Sequence, residues 1–367
     1  MAHRIVGLDL GSDTFRAVEV QGAGTPHPVI TAHHQVSVPA GVVDSGEIVD
    51  AQRATALIRQ LWSEGGLHCT DVVLGIGNAR VLVRELTVPQ ATARQVQNSL
   101  PFHVQDLLTV PVAEAILDFY PVAGDVLDGA PVLHGLLVAA VKESVNTTIR
   151  AVAAAGLTTL DVDLIPFALA RLHSDPSVSA GRNIATGDPG TVALIDIGAR
   201  TTTVIISTGA VPRFVRLIPV GGADLTRMLA DTLGIDAPEA DTLKRRIGLT
   251  DAAHDPHDTA AVGVIHGFCG DLLDAIHNTL RYYASAHPDS PASTLVLRGG
   301  GSELSGLGDA LAEISRLPIR PVDPYAAVSV SAKLHRAGGR LPASLAVALG
   351  LALGTPGQVR RPLGRAA

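Results

Sequence analysis

Aromatic side chains are scarce. Phe, Trp and Tyr make up 3% of the 367 residues, so a core must be assembled from Val, Leu, Ile and Ala within a hydrophobic total of 47%. Charge is scarce too: Asp, Glu, Lys and Arg reach 17%, below the ~25% of an average soluble chain. The deficit is on the basic side, with 28 Lys and Arg against 35 Asp and Glu and a formal net charge of −7. That balance excludes the broad basic surface on which nucleic-acid binding depends. The two cysteines, Cys69 and Cys269, are far apart, match no metal spacing and read as reduced core residues of a cytosolic protein. The fourteen histidines form no metal pattern with carboxylates; His33 and His34 fall in a strand, and His254–Asp258 reads as a hydrated loop. No Ser/His/Asp or Cys/His order suggests a hydrolase. No run approaches the ~18 apolar residues of a membrane span. Met1–Arg4 leads directly into a strand, so no signal peptide is expected, and "TPGQVRRPLGRAA" at the other end reads as a frayed tail. The expectation is a soluble, cytoplasmic protein.

What is present is organised in two halves, as the length suggests. Ile5–Leu10 and Phe15–Val20 are β-rich runs around a Gly/Ser/Asp turn, a hairpin signal. A third extended run begins at Val29. Ala54, Leu57, Ile58 and Leu61 give Ala51–Trp62 a helical stripe, "VVLGIG" and "RVLVRELTVP" read as strands, and residues 100–122 read as irregular. "HGLLVAAV" is a further strand, and Lys142–Ala155 is a helix stopped by Gly156. Residues 33–160 therefore read as an inserted α+β packet. After the linker "ATGDPG" (Ala185–Gly190) a second hairpin, "VALIDIGARTTTVIIS" (Val192–Ser207), repeats the first. Helices follow, with stripes at Leu225, Met228, Leu229, Leu233 and at Phe268, Leu272, Ile276, Leu280, Tyr283. "STLVLRGGGSELSGLGDALAEI" then runs strand, glycine loop, helix. Two hairpins that each open a half make an internal duplication, with an insertion in the first half.

The three loops carry the chemistry. Each hairpin holds an Asp and a Gly at its bend: Asp9-Leu10-Gly11 and Asp196-Ile197-Gly198. Glycine lets a phosphate approach bare backbone. A carboxylate beside a phosphate repels it but can hold a Mg²⁺ through water, because that ion keeps most of its hydration. Ser12, Asp13 and Thr14 in one loop and Arg200–Thr203 in the other add hydroxyls, and Arg16 or Arg200 adds a charge partner. Facing hairpins would clamp a di- or triphosphate. Gly299, Gly300 and Gly301 follow a strand and open a helix, which suits a flat base lying against backbone.

This order resembles the actin superfamily, which also holds the Hsp70 chaperones and the sugar kinases. Within it the chain is similar, across nearly its whole length, to the PilM-type actin-like proteins of type IV pilus assembly. The segments that carry the likeness are "GLDLGSDTFRAVEV", "LDFYPV", "LLVAAVKESV", "DVDLIPFALAR", "LIDIGARTTTVII", "IPVGGADLTRML", "EADTLKRRIG" and "LRGGGSELSGLGDAL". The resemblance implies a duplicated ribonuclease-H-like, two-lobed α/β fold. Residues 1–32, 161–188 and 330–367 would form subdomain 1A, with 33–160 the inserted subdomain 1C. Residues 189–222 and 292–329 would form 2A, and 223–291 would form 2B. It implies ATP or ADP with Mg²⁺: Asp9 and Asp196 near the metal, and Gly11, Ser12, Asp13, Thr14, Arg16, Gly198, Ala199 and Thr201 around the phosphates. Asp241 and Lys244 would approach ribose and base, and Gly299–Gly301 the adenosine. Arg16 stands where many relatives carry Lys. By residue pattern alone, Lys244-Arg245-Arg246 reads as a solvated basic face.

Hydrolysis needs a group that positions water. Relatives carry an acid or glutamine just before a proline; here Ile165 precedes Pro166. Asp161 and Asp163 are near but alternate with apolar neighbours along a strand, or face a seam between subdomains. The expectation is slow turnover at most, with nucleotide as a structural or switching ligand. The resemblance implies a cytoplasmic adaptor recruited to the inner face of the cell membrane through its partners. It would take the N-terminal peptide of a PilN-like membrane protein beside the inserted packet, with pilus motor ATPases as neighbours. An FtsA-like division protein ranks second and a small-molecule kinase third.

Overall fold

The computed structural model describes residues 3–108, 110–172, 190–249, 258–336 and 341–354. Linker residues 185–189, His254 to His257 and the tail from 355 lie outside them. The chain divides into two compact units, one of Met1–Asp175, Ala210–Leu217 and Asp323–Ala367, the other of Pro176–Gly209 and Ile218–Val322.

The first unit is built on β1 (Arg4–Leu10) and β2 (Thr14–Gln21), an antiparallel hairpin whose apolar residues are buried on both faces. Burial on both sides explains why the sequence here is a continuous apolar run rather than an alternation. Adding β3 (Val29–Ser37), β6 (Asp71–Ile76), β10 (Thr158–Leu164) and β15 (Ser329–Val330) gives a six-stranded sheet in the order β10-β6-β1-β2-β3-β15. The short ribbon of β4 (Val43–Asp44) and β5 (Glu47–Ile48) leads into α1 (Ala51–Gly65). Asp50 caps α1 by accepting from the Arg53 amide, and Gly66 ends it in the left-handed region. Its buried Ala54, Ile58 and Leu61 join Val6, Leu8, Phe15, Val72 and Leu74 in one core, together with Ala151 and Val152 of α3 (Lys142–Ala154).

β7 (Leu82–Pro89), β9 (Ala130–Val141) and β8 (Ala115–Leu127) form a separate three-stranded sheet in the order β7-β9-β8. α2 (Ala93–His103) packs on it through Val96 and Leu100 against Phe119 and Leu137. Sheet membership thus divides the span 33–160: β3, β6 and β10 extend the β1–β2 sheet, while β7 to β9 pair only with one another. Residues 100–122, expected to be irregular, hold the end of α2, two 3-10 turns and most of β8. Pro101 lies inside α2 and a register shift at Pro121 interrupts β8, and both hide the periodicity on which a pattern reading relies.

A four-stranded sheet in the order β13-β12-β11-β14 is formed by β11 (Thr191–Ile197), β12 (Thr202–Thr208), β13 (Val211–Ile218) and β14 (Thr294–Arg298). Read from β14, it repeats the segment β6-β1-β2-β3: a parallel strand beside a hairpin, then a third strand. α5 (Gly222–Leu233), α6 (Ala237–Ile247), α7 (Thr259–Ala286) and α8 (Leu307–Ser315) belong to the second unit, as do β11, β12 and β14. α7 is long and apolar enough by composition to cross a membrane. Its Ile265, Phe268, Leu272, Ile276 and Leu280 are buried. In the first unit α4 (Ile165–Arg171), α9 (Ala332–Arg336) and α10 (Ala346–Leu353) remain, α10 lying on β1 and α4.

Candidate functional site

Asp9 stands near the end of β1, opposite Arg16 in the hairpin register. Its Oδ2 accepts from Arg16 Nη1 at 3.3 Å, and the same nitrogen reaches the Thr14 carbonyl at 3.4 Å. Burial drives the Asp9 carboxyl above its ordinary value, and the Arg16 charge and hydrogen bond pull it back. Ser12 and Asp13 form the bend, where the Asp13 carbonyl accepts from the Val38 amide at 2.9 Å. A Cβ on Gly11 would sit 2.9 Å from the Thr14 carbonyl oxygen and 3.3 Å from Arg16 Nη1. The first unit therefore brings Asp9, Gly11 to Thr14 and Arg16 together within one turn.

In the second unit Asp196 pairs with Thr203 across β12 and with Arg298 across β14. The Gly198 amide donates to the Thr201 carbonyl at 2.9 Å and closes the turn. Three stretches of backbone meet at Ile197–Ala199. The first turn of α5 is stitched to it, Gly222 donating to Gly198 O at 2.9 Å and Ala223 to Ala199 O at 2.8 Å. A Cβ on Gly221 would lie 2.5 Å from both of those carbonyl oxygens. Gly299, with φ +81°, and Gly301 press on Ile197, where an added Cβ would fall inside van der Waals contact. The middle glycine differs: a Cβ on Gly300 would meet nothing within 4 Å. Gly299 and Gly301 are thus consumed by packing, and the missing side chain of Gly300 faces open space.

Lys244 is nearly enclosed, its side chain 12% exposed. Its Nζ lies 2.7 Å from Asp241 Oδ1, donates to Thr226 Oγ1 at 2.7 Å and to the Gly222 carbonyl at 3.2 Å. Burial raises the Asp241 carboxyl, but hydrogen bonds from Arg245 and Lys244 outweigh it and hold the group below its ordinary value. Arg200 donates to Asp224 at 3.0 Å, and Asp224 also accepts from the Gly221 amide at 3.0 Å. The second unit therefore gathers Gly198, Ala199, Thr201, Asp241, Lys244 and Gly299–Gly301. It adds Gly221, Gly222 and Thr226, which sequence reasoning missed although two adjacent glycines before a helix were a signal.

Ile165, the residue before Pro166, opens α4 and packs on bare backbone: Cβ atoms on Gly75 and Gly77 would lie 3.1 and 3.0 Å from it. Asp163 is buried and accepts from Arg171 Nη2 at 2.5 Å and from the Leu164 amide at 2.8 Å. Burial raises its carboxyl and Arg171 opposes the shift. Asp161 accepts from the amide of Val162. Among the described residues no group of three His, Cys, Asp or Glu is arranged to hold a metal ion.

A duplicated sheet in which each copy opens with an aspartate- and glycine-bearing hairpin, one of them followed by a helical set and a glycine loop, defines the actin-like class. The sequence profile of the family described as type IV pilus assembly protein PilM matches residues 7–355, and the chain belongs to that family. A solved PilM–PilN type IV pilus biogenesis complex is 25% identical, with 98% of this chain and 99% of that one covered and a TM-score of 0.78. The ethanolamine utilization protein EutJ of Carboxydothermus hydrogenoformans shares the fold at 18% identity, with 96% and 90% covered and a TM-score of 0.54. The cell division protein FtsA of Bacillus subtilis (strain 168) is 22% identical over 364 residues, 87% of this chain and 78% of FtsA.

Proposed function

We propose that this type IV pilus assembly protein is a nucleotide-loaded cytoplasmic adaptor that binds ATP or ADP. The observation that carries the reading is the convergence of hairpin turn, α5 and glycine loop on Ile197–Ala199, with Gly300 left open. Bare backbone packed that tightly is hard to explain by stability alone, since each glycine weakens the chain. Within the first unit, Asp9, already paired with Arg16, suits a hydrated Mg²⁺ held through water rather than direct ligation. The ion's part would be to offset phosphate charge. Ile165 supports slow turnover, because an apolar side chain lodged on Gly75 and Gly77 offers nothing to a water molecule.

The partner we assign is the N-terminal peptide of a PilN-like membrane protein, which would hold this chain at the inner face of the membrane. Support comes from the face of the three-stranded sheet turned away from α2. There Tyr120 rests on Phe167 with ring centroids 4.8 Å apart, Ile116 is 39% exposed, and β8 is an edge strand. An edge strand with an apolar face suits an extended peptide.

The test is calorimetric titration of nucleotide-free protein with ATP and Mg²⁺, repeated with Gly300→Val and Asp9→Ala. A side chain at Gly300 enters open space, so G300V should melt with the wild type yet bind ATP at least tenfold more weakly. Phosphate release should stay far below the ~10 per second of a median enzyme. Wild-type protein that gives no heat with millimolar ATP overturns the nucleotide reading.

A further inference from the structure

We infer that Arg200 discriminates ATP from ADP by exchanging its carboxylate partner, Asp224, for the terminal phosphate of the triphosphate. This rests on the nucleotide reading above and deepens it, naming the side chain that counts phosphates.

Arg200 stands in the turn between β11 and β12, and its Nη1 donates to Asp224 Oδ1, in the first turn of α5, at 3.0 Å. Among the described residues that carboxylate is its one partner, and its side chain is 34% exposed. Asp224 is better served. Its Oδ2 accepts from the Gly221 amide at 3.0 Å, and Arg227 Nη2, three residues along the helix, donates to the same Oδ1 at 3.0 Å. Two guanidinium groups therefore share one carboxylate oxygen.

Taking a partner from a largely buried carboxylate is costly when nothing else satisfies it. Here Arg227 and the Gly221 amide stay behind, so Arg200 can leave without stranding Asp224. The backbone does not depend on Arg200 either. Gly222 and Ala223 donate to the Gly198 and Ala199 carbonyls, and the Gly198 amide donates to the Thr201 carbonyl. The side chain can therefore swing while turn and helix keep their places. A guanidinium fork takes two phosphate oxygens at once, and a terminal phosphate carries more charge than the single one of a carboxylate. A triphosphate brings one phosphate and one charge more than a diphosphate. The exchange is assigned to that added group, so it favours ATP over ADP.

The experiment separates the two arginines that share Asp224. Wild type, Arg200→Ala, Arg200→Lys and Arg227→Ala are each titrated calorimetrically with ATP and with ADP, both with Mg²⁺, and each variant is melted. R200A should weaken ATP about tenfold, the size of one charge-assisted hydrogen bond, and change ADP by no more than about twofold. R200K should recover part of the loss, because an ammonium keeps the charge without the fork. R227A should leave both nucleotides within about twofold of wild type. ATP affinity unchanged in R200A overturns the assignment while leaving the nucleotide reading intact. Equal losses for ATP and ADP overturn it too, since Arg200 would then act on the fold or on a phosphate common to both. A selective loss of ATP in R227A as large as in R200A would make Asp224, and not Arg200, the discriminating group. Wild-type protein that binds neither nucleotide removes the nucleotide reading and this inference together.

Discussion

Glu19 shows what a single buried carboxylate contributes in the first unit. It is 1% exposed and takes four donors: Thr31 Oγ1 at 2.6 Å, the His68 and Cys69 amides at 2.9 Å each, and Arg4 Nη1 at 3.2 Å. It therefore pins the loop before β6 to the central hairpin. Burial pushes its carboxyl up, but the hydrogen bonds and Arg4 outweigh this and hold it below the ordinary 4.5. A carboxylate with a lowered folded value adds stability above its unfolded value and loses it as the pH falls through the folded one. Asp9 and Asp163 shift the opposite way and subtract stability at neutral pH. Glu19→Gln puts an amide N–H among donors and should cost about 2 kcal/mol, lowering the melting temperature at pH 7 by roughly 5 °C. The gap from wild type should close as the pH drops below 4.5. A gap that stays constant from pH 7 to pH 3 would show that the charge of Glu19 contributes nothing.

Among the elements, α10 has the tightest fit. Its sequence "AVALGLAL" is almost wholly buried and carries no polar side chain. It touches β1 through Gly7, whose added Cβ would collide with the Ala348 carbonyl, and crosses α4 through Gly350, whose added Cβ would collide with the Ala168 carbonyl. Backbone on both sides cannot rotate away as a side chain can, so overpacking here belongs at or above the upper end of its usual ~1–3 kcal/mol. Gly7→Ala and Gly350→Ala should each lower the melting temperature by roughly 10 °C or prevent soluble expression. Melting within a degree of wild type would mean that α10 is not seated as described. The hairpins and most helices were legible in the sequence because the apolar period and the Gly and Asp punctuation agree there. The segment 100–122 was not, because Pro101 and Pro121 sit within regular elements that tolerate them. The β8–β9 hairpin was equally hidden, although Asp128 and Gly129, with φ of 51° and 77°, are the residues such a tight turn prefers.

For the whole molecule, the membership in the PilM family makes partner docking the property to test. A labelled peptide from the cytoplasmic N-terminus of the cognate PilN-like protein should bind with micromolar-range affinity in fluorescence anisotropy, since an ordering segment gives up part of its binding energy. Ile116→Asp, on an already exposed strand position, should keep the melting temperature and weaken the peptide at least tenfold. Unchanged affinity in I116D would move the docking surface away from the three-stranded sheet.

The sequence by itself determined the duplicated plan, because each half repeats an apolar hairpin bent at an Asp and a Gly. It also marked Gly299–Gly301 as a place where backbone comes close to other backbone. Only the tertiary structure decided which glycine of the three faces open space, how Lys244, Arg245 and Arg246 are each paired, and what Ile165 packs on. Those outcomes depend on contacts between residues dozens of positions apart: Lys244 with Gly222, Arg245 with Glu303, Ile165 with Gly75 and Gly77. Local periodicity reports the face a residue presents; it carries no information about which distant side chain arrives there.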